Sequence, residues 1–128
     1  MAQKENNIIP MIFDEAFYRK MATQKWRQQD YKKAAEYYEK VLELSPKDFD
    51  IQQHYAQCLV KLNIGKKAER LFYENIVKDF HVAESFYELS QLNIELNEPN
   101  KAFLFGINYV ILSEDKDFRE MLEKTFEV

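Results

Sequence analysis

Two short stretches decide the reading of this chain: Tyr18-Arg19-Lys20-Met21-Ala22 and Ala34-Ala35-Glu36-Tyr37-Tyr38. At a spacing of 34 residues they return as Gln52-Gln53-His54-Tyr55-Ala56 and Ala68-Glu69-Arg70-Leu71-Phe72. They return again as Phe86-Tyr87-Glu88-Leu89-Ser90 and Ala102-Phe103-Leu104-Phe105-Gly106. Small residues therefore recur at two fixed points of each unit, Ala22, Ala56 and Ser90 at the first, Ala34, Ala68 and Ala102 at the second. Antiparallel helices approach closely only where side chains are small, and a neighbouring aromatic such as Tyr38 or Phe72 fills the space beside the contact.

The rest of the composition agrees with helices. Only 2 glycines and 3 prolines occur in 128 residues, and the apolar fraction of 46% is that of a globular chain. The pattern predicts helices near 14–28, 31–44, 49–62, 66–79, 83–96 and 99–112. Turns are expected at Gln28-Gln29-Asp30, Asn63-Ile64-Gly65 and Asn97-Glu98-Pro99, with Asn97 capping the sixth helix and Pro99 in its first turn. Phe118, Met121, Leu122 and Phe126 stand at helical spacing and predict a capping helix over 115–128.

These residues resemble the tetratricopeptide-repeat family. Its pattern of an aromatic, a large apolar residue followed by a small one, then Ala-x-x-x-Phe and Pro appears here as Tyr18-x-x-Met21-Ala22, Ala34-x-x-x-Tyr38 and Pro46. The chain departs from it at Gln52 and Gly106, where aromatics are usual, and at Phe80 and Glu114, where Pro would stand. The resemblance implies an all-α superhelix of three hairpins, about 15–48, 49–82 and 83–115, after an N-terminal tail over 1–13 and before the capping helix.

The resemblance also implies a concave groove lined by the first helix of each hairpin. It turns Arg19, Thr23, Trp26 and Arg27 inward in the first unit, Gln53, His54, Gln57 and Lys61 in the second, and Tyr87, Glu88 and Gln91 in the third. Amides, aromatics and charges together suit the backbone of a bound peptide. Residues 1–64 hold 10 basic and 9 acidic side chains and residues 65–128 hold 8 and 13, +1 against −5. That asymmetry can orient a ligand or simply solvate a surface. The carboxylate clamp of one family subgroup is not expected, because Glu84 and Glu88 stand where its basic residues would and would repel a carboxylate.

Catalysis finds no support: there is no phosphate-cradling glycine loop and no nucleophile elbow. His54 and Cys58 lie one helical turn apart, but two histidines and one cysteine are too few for a tetrahedral zinc site. Cys58 is expected to pack inside as an inert thiol. Trp26 either packs on Tyr31 or meets the ligand. No cofactor or metal is called for, the net charge of −4 argues against nucleic acid, and no apolar stretch is long enough for a membrane.

The expected protein is thus a cytoplasmic adaptor or chaperone-like module whose partner is a protein or peptide. The alternatives are an oligomerisation element, an N-terminal fragment of a longer solenoid, or a chaperone of the type III secretion kind. Two apolar features stand apart from the groove. The segment Ile8-Ile9-Pro10-Met11-Ile12-Phe13 either covers the first helix or inserts into a neighbour. Leu104, Ile107 and Ile111 occupy outward positions that are charged in the first unit, and they predict a contact stripe, with a homodimer through the C-terminal hairpin among its uses.

Overall fold

The computed structural model describes residues 13–126, in which seven α-helices follow one another without a strand. The expectations for Ile8–Ile12 lie outside the described residues. Phe13 is inside them and meets Phe17 edge-on at 4.9 Å between ring centroids. The chain divides between Ile64 and Gly65 into two compact units.

The first unit holds α1 (Glu15–Arg27), α2 (Tyr31–Leu44) and α3 (Phe49–Lys61). Each begins on an aspartate, and the carboxylates of Asp14, Asp30 and Asp48 accept the N–H three residues on, from Phe17, Lys33 and Ile51, at 3.0, 3.1 and 3.1 Å. Such a cap satisfies a backbone donor the helix leaves orphaned and contributes about 1 kcal/mol. α1 packs along α2, and α2 along α3. Ala22 and Ala34 are wholly buried, as is Val41, with Tyr38 only 4% exposed. The small residues of the repeat are therefore where the helices close.

The turn after each first helix is built the same way three times. Gln29, Asn63 and Asn97, again 34 residues apart, adopt left-handed backbone with φ of 60°, 62° and 59°. The N–H of the next residue then reaches back to a carbonyl five residues earlier: Asp30 to Lys25, Ile64 to Leu59, Glu98 to Asn93, at 2.8–2.9 Å. This closes the last turn of each helix and satisfies its free carbonyls. Asn97 consequently ends a helix and does not cap the next one, contrary to the sequence expectation. The cap position belongs to Glu98, whose side chain makes no capping bond, and Pro99 does open the following helix.

The second unit holds α4 (Gly65–Val77), α5 (Val82–Glu95), α6 (Pro99–Ser113) and α7 (Lys116–Phe126). α5 and α6 form its closest pair, and Ser90 of the one meets Gly106 of the other there. The hydroxyl of Ser90 is buried and donates to the Ala102 carbonyl at 2.8 Å, so a polar residue fits where the other units carry Ala. Gly106 faces Ser90 on one side and α7 on the other. A Cβ there would lie 2.7 Å from Leu122 Cδ1 and 3.0 Å from Ser90 Oγ. Losing the aromatic at this position is what lets α7 seat Leu122 against α6. The capping helix predicted over 115–128 is α7; its N–H of Phe118 is capped by Asp115 at 2.9 Å, and Phe118 and Leu122 are buried.

Candidate protein-binding surfaces

In the first unit the exposed side chains of α1 and α3 include Thr23, Arg27, His54 and Lys61, with Trp26 and Gln57 half-buried. Tyr31, the first residue of α2, joins the two helices. Trp26 meets its ring edge-on at 5.2 Å, and the Lys61 ammonium lies 5.9 Å from its centroid. That last distance places a cation over an aromatic face, which favours an ordered Lys61. Trp26 packs on Tyr31, and part of the half-buried indole stays accessible. Tyr31 was not among the sequence candidates for binding. Its signal is its place as the first residue after the turn that follows Trp26.

His54 stacks over Tyr38, 6.0 Å between centroids with planes 19° apart. Burial pushes the Tyr38 hydroxyl up to about 12, so this ring is a neutral floor for the imidazole. Cys58, one turn from His54, is fully buried, and burial pushes its thiol up to about 12 as well. A thiol so disfavoured as thiolate is inert, in line with the sequence expectation. Gln53 is 1% exposed and lies inside the chain.

Arg19 is half-buried and occupied. Its Nε donates to Glu15 at 2.8 Å, its guanidinium pairs with Asp48, and the Ser45 hydroxyl donates to Glu15. One network thus ties the start of α1 to the α2–α3 turn. The Ser45 hydroxyl and then Arg19 hold the Glu15 carboxyl below its ordinary value. Burial alone would raise the Asp48 carboxyl, but Arg19 and the Ile51 N–H outweigh it and hold it low.

In the second unit Tyr87 is half-buried and belongs to a three-ring cluster. It meets Tyr109 at 5.1 Å and Phe118 at 5.2 Å, and those two meet each other edge-on at 5.0 Å. Gln91 donates to the Tyr87 hydroxyl at 3.3 Å, and Tyr109 donates to Asp115 at 2.8 Å. Glu88 is half-buried on the same helix. Tyr87 therefore lies at the seat of α7, with Gln91 held to it.

The predicted stripe lies on α6. Leu104 is 60% and Ile111 69% exposed, and Ile107 is half-buried. Ile107 and Ile111 line a groove of about 580 Å³ between α6 and α7, together with Phe103, Val110 and Leu122 and a rim that includes Glu114 and Arg119. α7 covers one side of α6 and leaves the stripe open. Among the described residues no group of three or more His, Cys, Asp or Glu is placed to hold a metal ion. No helix among them is long and apolar enough to cross a membrane.

A family model for the tetratricopeptide repeat matches residues 25–72. No curated protein matches the sequence significantly. Solved structures share the fold. The MamA protein aligns with a TM-score of 0.76 at 19% identity over 88% of this chain and 62% of its own. The Arabidopsis OM64 TPR domain aligns with 0.77 at 12% identity, over 88% of this chain and 93% of that domain. The TPR domain of P58(IPK) aligns with 0.78 at 18% identity, over 98% of this chain. The present chain spans only 36% of that last structure.

Proposed function

The chain belongs to the tetratricopeptide-repeat proteins, and from that premise we propose that it is a non-catalytic, cytoplasmic adaptor that binds a peptide segment of another protein. The observation that carries this reading is the cluster at the C-terminal ends of α1 and α3. There Tyr31 joins Trp26 to Lys61, with Arg27 exposed beside them. An aromatic surface with Lys61 over one of its rings and Arg27 exposed on the same helix end suits a segment that alternates apolar and acidic side chains, and the exposed His54 and Thr23 suit its polar groups. Tyr87, Glu88 and Gln91 are proposed as contacts of the same kind on the second unit. Arg19 is assigned a different role, since its guanidinium is already held by Glu15 and Asp48.

A selection from a random displayed peptide library tests the reading, with the charge-reversed variant Arg27→Glu/Lys61→Glu as the counter-target. Both side chains are exposed, so the variant should keep its fold within about 0.5 kcal/mol. The native chain should enrich acidic, aromatic-containing segments that the variant does not hold. Enrichment of the same peptides on both proteins would move the site off this cluster.

A further inference from the structure

The exposed side of α6 carries a pattern that reads the same from either end. Lys101, Leu104, Ile107, Asn108, Ile111 and Glu114 follow one another at intervals of three, three, one, three and three residues. On α6 the positions from Lys101 to Ile111 make one face, with Leu104 and Ile111 along its middle, since residues three and four apart are neighbours, and Glu114 is the left-handed residue that ends the helix. Lys101 stands in the first turn of α6 and Glu114 directly after its last residue, so the two charges mark opposite ends of that line. All six positions are exposed except Ile107, which is half-buried. The one polar side chain within the stripe, Asn108, already donates to the Leu104 carbonyl at 2.8 Å and can be covered without leaving that donor unmet.

A two-fold axis through the middle of such a face, between Ile107 and Asn108, exchanges its two ends and its two sides at once. We propose that a second copy of this chain docks there, with the two α6 helices antiparallel across the axis. Leu104 then lies against Ile111 of the partner subunit, twice, and Ile107 lies against Asn108 of the partner subunit. The same operation sets Lys101 opposite Glu114 of the partner subunit at each end of the contact. Lys101 thereby meets the negative end of the partner's α6, and Glu114 meets the positive end, so helix dipoles and charges agree. An arbitrary apolar ligand would need no such pairing of opposite charges in mirror positions. A second copy does, because a two-fold contact uses one surface twice.

The contact is small. α6 is about 22 Å long at 1.5 Å per residue, and a single helix pair falls below the roughly 800 Å² per partner of a standard interface. The dimer is therefore weak and depends on concentration.

Sedimentation velocity of the full chain over a wide concentration range tests the proposal. The native protein should show a monomer–dimer equilibrium. Lys101→Glu and Glu114→Lys should each weaken it on the order of tenfold, equivalent to about 1.4 kcal/mol, by setting like charges face to face. The double exchange Lys101→Glu/Glu114→Lys should restore it, since opposite charges meet again. Leu104→Lys/Ile111→Lys should abolish it. A native chain that stays monomeric at every concentration overturns the proposal. So does a dimer that ignores the two single charge changes and the aliphatic variant, or one that the double exchange fails to restore. The charge variants alter only exposed side chains, which keeps the test valid even if the aliphatic variant unfolds.

Discussion

Replacing Gly106 with Val should loosen α7 from α6. The first added atom, Cβ, would stand 2.7 Å from Leu122 Cδ1, 3.0 Å from Leu122 Cδ2 and 3.0 Å from Ser90 Oγ. The Ser90 hydroxyl cannot swing away cheaply, because it is wholly buried and would lose its acceptor, the Ala102 carbonyl. Leu122 is a flexible tip at the wall of the α6–α7 groove, but it is 3% exposed, and turning it out of its seat would give up that burial. Overpacking of this kind costs about 1–3 kcal/mol. A methyl group alone would recover about 1 kcal/mol of it through the helix propensity of Ala over Gly, leaving Gly106→Ala near a net loss of 0–2 kcal/mol. Val adds two more methyls and recovers only about 0.3 kcal/mol, so its net loss should reach about 1–3 kcal/mol. Should α7 detach to escape the clash, Phe118 and Leu122 would lose burial worth about 1.5–3 kcal/mol each, and the loss would concentrate there. Urea titration measures the total, and hydrogen exchange of the α7 amides shows where it falls. A Val variant as stable as the parent, with unchanged protection in α7, would refute the close contact at Gly106 as the seat of the closing helix.

Two further outcomes follow from the titratable groups. Glu15 and Asp48 are held below their ordinary values in the folded chain, so their contribution is whole above the unfolded carboxylate pKa of about 4 and is lost as pH falls through the lower folded values. Asp48→Asn keeps a good helix cap but removes the Arg19 pair. Its urea midpoint should fall less steeply than the parent's between about pH 6 and about pH 3, and equal slopes would mean the pair contributes nothing. The Cys58 thiol, buried and pushed up to about 12, should react with a disulfide reagent only at the rate of unfolding, and fast native labelling would contradict its burial.

The fold was legible because its determinants are local or periodic. The 34-residue spacing of Ala22 with Ala56 and of Ala34 with Ala68 states where helices close, and the observed ends differ from those expected by no more than two residues across α1 to α6. The error at Asn97 has a local cause. Asn serves both as a helix cap and as a left-handed closing residue, and only the match with Gln29 and Asn63 decides between them. The candidate site was less legible. Arg19 looks like a ligand contact until Asp48, 29 positions later in the chain, is brought beside it. Gln53 carries no mark of its burial, because the repeat register turns it to the same side as exposed residues such as His54. Gly106 shows in the sequence only as a departure from the pattern, and its meaning depends on Leu122 in a helix outside the repeat.

The single tryptophan allows the proposed binding site to be watched. Trp26 is half-buried, in edge contact with Tyr31, and Lys61 lies over that same ring. Titrating the native chain with an acidic, aromatic-containing peptide from the library selection should therefore change Trp26 emission saturably, and Arg27→Glu/Lys61→Glu should remove that change. A peptide whose binding is evident by calorimetry but leaves Trp26 emission untouched in the native chain would contradict the placement of the peptide site on α1 and α3.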